Sequence, residues 1–365
     1  MKYTPFYDPL KSYDENYNDG PFGQLADKEV FEDKGEPSHD FLGHTVYTPF
    51  GIPAGPVINS NYVKGAFDKG FDIVVYKTVR SDTYPCHPFP NVLSVDLEGN
   101  LTLERAKEPL IANSNYKDPI SITNSFGVPS KEASVWQEDV KKALSYAKKG
   151  QVLVLSFMGT VKEGQSEKEF IEDFVLAARQ AKETGAPILE VNLSCPNIGN
   201  EGLVCYNLSA TRKILAAIRQ EIGEIPLIVK TGYFEDMEKL KEFASIVNEF
   251  AQAVAAINTI AAPVIDDKGN QALPGNPVRL RSGICGASIK WANLEMVQKL
   301  AELRKEHSYD YKIIGVGGIT VANDYSEVMK AGADAAMSAT GAMWNPYLAL
   351  DIKEVPHPSG SESQS

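Results

Sequence analysis

Four polar residues close runs that are otherwise apolar, and their types could do chemistry together. The runs are IVVYK, LIVK, LEVN and AAIN, and the residues that end them are Lys77, Lys230, Asn192 and Asn258. An amide offers a donor and an acceptor side by side, which suits the imide edge of a pyrimidine or of an isoalloxazine ring. Two ammonium groups would stabilise a carboxylate or an anionic reduced flavin. The simpler interpretation makes each residue a cap or an ion-pairing group, with Glu190 available as a partner.

Two glycine-containing segments indicate a phosphate site. GVGGI (315–319) and SATGA (338–342) each follow an apolar run near the end of the chain. Glycine lets phosphate oxygens approach the backbone closely, and barrels commonly bind phosphate after their last two strands. Glycine-rich turns also form for conformational reasons alone, so the two segments together favour phosphate binding more than either does alone.

One thiol stands out among the cysteines. Cys195 lies in NLSCPN, just past the run that ends in Asn192, and Pro196 follows it. A single cysteine is often only a small buried hydrophobic residue. Near the lysines, however, its pKa would fall and a thiolate able to accept a proton would form. We therefore predict a functional role for Cys195 and structural roles for Cys86, Cys205 and Cys285.

The elements that must position these residues are short apolar runs that alternate with amphipathic stretches from residue 50 onward. This pattern is typical of parallel strands joined by helices. Residues 166–185 and 237–250 have apolar residues at helical spacing. Eight such units predict an α/β fold, a (β/α)8 TIM barrel whose strand ends bind substrate. The eight runs are GIPAG (51–55), DIVVYK (72–77), VLVLSF (152–157), ILEVNL (188–193), LIVK (227–230), AVAAIN (253–258), KIIGVG (312–317) and AAMSAT (335–340).

Three segments are predicted from one end of the chain to the other. Residues 1–44 are polar, lack a sustained period and indicate an extended N-terminal extension. Residues 45–350 would form the barrel, with long inserted loops over 78–151 and 259–292 at its C-terminal face. Residues 351–365 predict a disordered tail.

Composition and charge exclude several classes of protein. The 365 residues are 43% hydrophobic and 23% charged, enough for a large core, and the net charge is -12. The acidic balance argues against a nucleic-acid or anionic-membrane partner. Neither an apolar membrane span nor a signal peptide is found, so we expect a cytoplasmic protein. The four cysteines form no CxxC pair, and HExxH and GxSxG are absent, which predicts no metal site and no serine hydrolase.

The block ILEVNLSCPNIGNEG carries a specific resemblance to a known family. With AGP, YKT, TNSFGVPS, VKTGYF, INT, SGICGASIK and GVGGI, it resembles the dihydroorotate dehydrogenases, FMN-dependent barrel enzymes, over most of residues 45–345. NLSCPN with cysteine is similar to their soluble class 1 group, because class 2 members carry serine there. TNSFGVPS and INT differ from the motifs of the fumarate-using class 1 enzymes.

The resemblance implies oxidation of dihydroorotate to orotate in pyrimidine biosynthesis. Cys195 would remove the C5 proton while hydride passes from C6 to N5 of FMN. Lys77 would contact both the flavin and the orotate carboxylate, and Lys230 would lie at the flavin N1–O2 edge. The residues implied to surround the pyrimidine are Lys77, Asn124, Phe126, Gly127, Val128, Asn192, Asn197, Asn258 and Thr259. Those implied to hold FMN are Ala54, Gly55, Lys77, Thr78, Ser156, Asn192, Lys230, Asn258, Gly286, Gly317, Gly318, Ala339 and Thr340.

Other interpretations stay open on the sequence alone. The flavin enzyme could act on another dihydropyrimidine, such as dihydrouracil. A strand-end lysine could instead form a Schiff base in a lyase, or the barrel could bind a ligand without catalysis. The resemblance suggests a homodimer. It leaves open whether fumarate accepts the electrons or NAD does so through a partner subunit with FAD and an iron–sulfur cluster, which nothing in the sequence indicates.

Overall fold

The fold was analysed on a computed structural model, which describes residues 2–194, 202–275 and 280–354. Its strands are β1 His39–Phe41, β2 His44–Val46, β3 Phe50–Ile52, β4 Ile73–Val79, β5 Val92–Val95, β6 Leu110–Asn113, β7 Ser121–Asn124, β8 Val152–Phe157, β9 Ile188–Asn192, β10 Leu227–Thr231, β11 Ala253–Ala256, β12 Ile260–Ile265, β13 Arg281–Gly286, β14 Lys312–Val316 and β15 Ala335–Met337. Its α-helices are α1 Tyr13–Asp19, α2 Ser60–Asp68, α3 Ala133–Leu144, α4 Glu167–Lys182, α5 Leu208–Ile222, α6 Met237–Phe250, α7 Lys290–His307, α8 Ala322–Lys330, α9 Thr340–Trp344 and α10 Leu348–Glu354.

Eight parallel strands close into a barrel, in the order β3, β4, β8, β9, β10, β11, β14 and β15. Each of them overlaps one of the eight predicted runs, so the predicted (β/α)8 barrel is confirmed. Its strands read as apolar runs because helices cover their outer faces while side chains fill the inside. The filling is aliphatic, including Val75, Val154, Ile188, Ile228 and Ile314.

Helix α4 shows how local sequence begins and ends these elements. The Ser166 hydroxyl accepts from the Glu169 backbone N–H, and the Glu169 carboxylate accepts from the Ser166 backbone N–H, which forms a capping box. Apolar residues on one face, among them Phe170 and Phe174, are buried. Gly185 follows with a φ of +80°, a conformation that glycine adopts without strain. The helix predicted over 166–185 is thereby confirmed.

The two long connections, predicted as long inserted loops, contain regular secondary structure. Residues 78–151 contain β5, β6, β7 and α3, and residues 259–292 contain β12 and β13. Together they form a second closed sheet of five strands, in the order β12, β13, β7, β5 and β6. Four of its strands are short and mix Ser, Thr, Asn or Gly with aliphatic residues, and the apolar β12 is interrupted by Pro263, so no clear strand period marks them in the sequence.

The two ends of the chain are more ordered than expected. Residues 1–44 were expected to be an extended arm, but they include α1 and the β1–β2 hairpin, and Phe6, Tyr7 and Tyr13 are buried. The disordered tail predicted to begin at residue 351 was also wrong in its first residues, because α10 continues to Glu354. Ile352 is buried there, and Lys353 lies 2.8 Å from both Asp33 and Asp72, which explains the order. Residues 355–365 lie outside the described residues.

Candidate active site

Lys230 on β10 lies at the C-terminal mouth of the large barrel. Its side chain is only 5% exposed, and its Nζ donates to the Ala54 carbonyl oxygen at 3.1 Å. Burial lowers the pKa of Lys230, and the nearby Glu190 carboxylate and Cys285 oppose that shift. A buried ammonium of this kind favours a negatively charged partner in the space beside it.

Glu190, on the neighbouring strand β9, is the carboxylate whose charge acts on Lys230. Its side chain is 1% exposed, and within the described chain neither carboxylate oxygen has a hydrogen-bond partner. Burial raises the pKa of Glu190, while Lys230 and the Ser156 hydroxyl oppose the rise. Glu190 was considered from the sequence only as a partner for lysine, and no ion pair joins Glu190 and Lys230 within the described residues. It acts on Lys230 through charge at longer range.

Lys77 lies inside β4 rather than at its end, because the strand continues to Val79 past an irregularity in its pairing with β8. The side chain is 7% exposed. Its Nζ donates to the Thr78 carbonyl oxygen at 2.8 Å and to the carbonyl oxygen of Pro129. Burial and the positive charge of Arg80 lower the pKa of Lys77 to about 7. The site therefore holds Lys77 where its charge is costly and readily lost.

The two strand-end amides belong to one chain of hydrogen bonds. Asn258 donates from Nδ2 to Ser194 Oγ at 2.6 Å, and that hydroxyl donates to Asn192 Oδ1 at 2.7 Å. Ser194, which the sequence did not single out, thus fixes the orientation of both amides. The predicted base Cys195 and the predicted contact Asn197 lie outside the described residues.

Two further predicted flavin contacts meet between β4 and β8. The hydroxyls of Thr78 and Ser156 are hydrogen-bonded at 2.9 Å and buried. Ala54 and Gly55 follow β3, and Ala54 supplies the carbonyl that accepts from Lys230. These four residues and Lys230 therefore surround the same strand ends.

The predicted substrate loop continues from β7 of the small barrel. Asn124 ends β7, and Phe126, Gly127 and Val128 follow it. Gly127 and Val128 have φ values of +74° and +54°, so the backbone is held in a conformation that favours glycine. Part of what holds it is Arg80, whose guanidinium donates to the carbonyl oxygens of Val128 and Gly127, each at 2.9 Å.

Arg80 is a second residue that sequence reasoning missed. It is buried, and its guanidinium also donates to Thr160 Oγ1 at 2.9 Å and lies 3.9 Å from the centre of the Tyr84 ring. It thereby ties the loop after β7 to the loop after β8. A Lys-x-x-Arg spacing in YKTVR was the available signal, but it does not say where the guanidinium points.

Cys285 lies between the two barrels. Asn124 Nδ2 donates to its Sγ at 3.5 Å and Thr340 Oγ1 donates at 3.4 Å. Burial raises the pKa of the Cys285 thiol, and Lys230 opposes that shift. The structural role predicted for Cys285 agrees with a neutral thiol here, although its position joins a predicted substrate contact to a predicted phosphate contact. Thr259 lies close by, because a Cβ on Gly283 would be 2.5 Å from Thr259 Oγ1.

The predicted phosphate glycines lie at the ends of β13 and β14, where Gly286 and Gly318 are buried and Gly317 is partly exposed. Gly286 ends β13 with a φ of +98°, and Gly317 and Gly318 follow β14 with φ values of +121° and +74°. A Cβ would lie 2.3 Å from the Ile120 carbonyl oxygen at Gly286 and 2.4 Å from the Lys290 Cα at Gly318, so neither position accepts a larger residue. Ala339 precedes α9, and Thr340 is its first residue.

These observations fit FMN. Two buried ammonium groups suit a ring that gains negative charge on reduction, amides suit its polar edge, and the partly exposed Gly317 after β14 suits a phosphate. Among the described residues, no cluster of His, Cys, Asp or Glu could hold a metal ion. No helix of the described chain is long and apolar enough to cross a membrane.

Comparison with known proteins identifies the family of this chain. The family model for dihydroorotate dehydrogenase matches residues 38–355. A dihydroorotate dehydrogenase of Dictyostelium discoideum is 38% identical over 359 residues, which cover 95% of this chain and 96% of that protein. The catalytic subunit of an NAD(+)-dependent dihydroorotate dehydrogenase B from Thermodesulfovibrio yellowstonii is 30% identical, over 66% of this chain and 73% of that protein. Its counterpart in Brachyspira hyodysenteriae is 27% identical, over 64% of this chain and 71% of that protein.

Proposed function

The chain belongs to the dihydroorotate dehydrogenase family, and on that premise we propose that it oxidises dihydroorotate to orotate with FMN as its cofactor. The observation that carries the proposal is the pair of buried ammonium groups at one rim of the barrel, those of Lys77 and Lys230. Buried cations are costly unless an anion or a strong acceptor meets them. A substrate carboxylate would supply the anion, and a reducible ring would supply the acceptor.

Each residue of the site has a definite task in this reaction. FMN, when bound, would supply the acceptor for the hydride that leaves C6 of dihydroorotate. Cys195 would accept the proton from C5, so that the C5–C6 single bond becomes a double bond. Lys77 would hold the carboxylate, and Lys230 would hold positive charge at the edge where negative charge develops.

The amides would orient the substrate rather than react with it. Asn192 and Asn258 share the Ser194 hydroxyl, so their free donors and acceptors are fixed before substrate arrives. Asn124 and the backbone of Gly127 and Val128 would complete the contacts from the small barrel. Fixed donors raise the rate because they need no reorganisation during the reaction.

An anaerobic titration tests the proposal. The purified yellow protein is mixed with dihydroorotate or with dihydrouracil, and flavin absorbance is followed. We expect dihydroorotate to bleach the flavin and dihydrouracil to do so far more slowly, since only the former has a carboxylate for Lys77. Faster flavin reduction by dihydrouracil would indicate that dihydrouracil, rather than dihydroorotate, is the substrate. Flavin that stays oxidised with both compounds would indicate a binding protein without catalysis. A colourless protein in which borohydride traps substrate on Lys230 would indicate a Schiff-base lyase.

The electron acceptor and the assembly belong to the same proposal. We propose a homodimer in the cytoplasm, on the resemblance to the soluble class 1 enzymes, with fumarate or NAD as the electron acceptor. Several relatives are catalytic subunits of NAD(+)-dependent enzymes, so reoxidation is to be compared with fumarate and with NAD. Fumarate reoxidation by the isolated chain supports the single-subunit form.

A further inference from the structure

The N-terminal segment packs against the candidate site although it precedes residue 38, where the family match begins. Tyr7 and Tyr13 are buried, and Tyr7 is only 2% exposed. Both belong to the same core as the barrel, which also includes Phe6 and Leu25. This segment is therefore part of the folded body rather than an appendage.

Its aromatic rings contact two residues that the sequence assigned to substrate. The centre of the Tyr13 ring lies 6.0 Å from Lys77 Nζ. Tyr13 is also 6.3 Å from the Phe126 ring, and Tyr7 meets Phe126 edge to face at 5.6 Å. Tyr7 and Tyr13, which we call the N-terminal wall, thus both pack against Phe126 of the predicted substrate loop, and Tyr13 also lies beside Lys77.

Hydrogen bonds anchor the wall to the barrel. Tyr62 on α2 donates from its hydroxyl to the Asn16 carbonyl oxygen at 2.9 Å, and Asn59 donates from Nδ2 to the Tyr17 carbonyl oxygen at 2.7 Å. The Phe6 backbone N–H donates to the carbonyl oxygen of Met343 on α9 at 3.0 Å. A wall fixed at both its ends keeps its shape when substrate enters.

Two features beside the wall are otherwise unexplained. The buried Tyr7 hydroxyl has no hydrogen-bond partner in the described chain. A small pocket lies against Lys77 and is lined also by Tyr13, Tyr17, Ser130 and Lys131. Two tyrosines of the N-terminal segment therefore line the space beside Lys77.

We propose that the N-terminal wall is part of the substrate site and selects substrates that carry a carboxylate. Aromatic rings around Lys77 exclude water, and an ammonium attracts an anion more strongly where the dielectric is low. A neutral dihydropyrimidine gains nothing from that attraction, so the wall favours dihydroorotate over dihydrouracil. Phe126 packs against the same rings, which helps to fix the predicted substrate loop after β7. This inference rests on the proposed function.

The test compares Tyr13→Leu with Tyr13→Phe and with Tyr3→Leu in the flavin-loaded protein. Tyr3 belongs to the same segment, but its ring packs on Tyr347 at 5.3 Å, away from the site. We expect Tyr13→Leu to weaken orotate binding in calorimetry about tenfold and to narrow the ratio of kcat/KM between dihydroorotate and dihydrouracil by a similar factor. Tyr13→Phe keeps the ring and should recover most of the loss, while Tyr3→Leu should leave both quantities unchanged.

A second measurement needs no substitution. Orotate added to the wild-type protein should slow hydrogen–deuterium exchange of peptides within residues 5–22 by about threefold or more. The proposed role of the N-terminal wall is overturned if exchange is unchanged, or if Tyr13→Leu has the orotate affinity and selectivity of the wild type. In either case, dihydroorotate turnover by the wild-type protein would still uphold the proposed function. A wild-type protein that neither binds orotate nor oxidises dihydroorotate overturns both.

Discussion

The two closed barrels of this chain differ in how their strands are buried and in what they contribute to the site. In the large barrel, β4, β8, β9, β10 and β11 are buried along their whole length. In the small barrel, β12 and β13 alternate between buried and partly exposed positions. The large barrel supplies the cations Lys77 and Lys230, and the small barrel supplies Asn124 and the loop after it.

The difference follows from what each environment can hold. A strand covered on both faces can fix a charged side chain in one place, because the surrounding aliphatic residues leave it no other position. Short strands with polar residues allow turns at both ends, so they present backbone groups and amides instead. Charge thus comes from the large barrel, and amide and backbone groups come from the small one.

The largest effect should follow removal of charge from the large barrel. Lys230→Ala deletes a buried ammonium, so we expect flavin reduction by dihydroorotate to slow about 100- to 1,000-fold, or bound flavin to be lost. Stopped-flow absorbance and flavin content per chain measure both. Lys312→Ala removes an exposed lysine from the start of β14 in the same barrel and serves as the control. Equal behaviour of the two variants would show that position within the barrel does not matter.

A smaller effect should follow when the link between the barrels is cut. Arg80→Ala removes the donors to Gly127 and Val128, so we expect the KM for dihydroorotate to rise about 10- to 100-fold, with kcat less affected. Added guanidinium should restore part of the loss if the guanidinium itself holds the loop. Arg212→Ala, which removes an exposed pairing with Glu249, is the matched control. A fall in kcat with constant KM would contradict a positioning role.

The pH dependence of orotate binding reports the buried charge directly. Burial and Arg80 lower the pKa of Lys77 to about 7, and Cys86 opposes the shift. The ammonium is therefore present below that pH and is lost above it, so orotate affinity should fall by up to about tenfold for each pH unit above 7. Calorimetry from about pH 6 to 9 measures this, and Lys77→Arg, which stays charged, should flatten the profile. A flat wild-type profile would mean that Lys77 does not meet the carboxylate.

The smallest effect should come from the interior of the small barrel. The hydroxyls of Thr123 on β7 and Ser282 on β13 are hydrogen-bonded to each other. Ser282→Ala should lower the free energy of unfolding by about 1 kcal/mol and leave dihydroorotate turnover unchanged. Urea denaturation measures the change, and Ser114→Ala, at an exposed position of the connection that contains Thr123, is the control. A loss of turnover would show that the small barrel is as closely coupled to the chemistry as the large one.

Prediction from the sequence succeeded where local pattern and tertiary environment agree. All eight barrel strands were identified, because burial on both faces requires continuous apolar runs. The five strands of the small barrel were expected to lie in inserted loops, because four of them are short segments that contain Ser, Thr, Asn or Gly and β12 is interrupted by Pro263, so none has a distinctive period. Tyr7 and Tyr13 were missed for the same reason, since aromatic residues in an aperiodic segment do not show which surface they cover.

The candidate site divides in the same way. Lys77, Lys230, Asn192 and Asn258 are visible as polar endings of apolar runs, whereas Arg80, Glu190 and Ser194 act through partners far away in the chain. Arg80 reaches residues 47 and 48 positions later, and Ser194 joins Asn258, 64 positions away. No spacing rule anticipates such pairs.

By itself, the sequence determined the large barrel, its family and the cations at its rim, because each depends on residue type and on short periodic patterns. Only the tertiary structure decided that two distant connections would close into a second barrel, that Arg80 would join it to the first, and that an aperiodic N-terminal segment would lie against Lys77. These outcomes depend on which surfaces meet when the chain closes, and long-range contacts of that kind are set by the whole fold rather than by neighbouring residues.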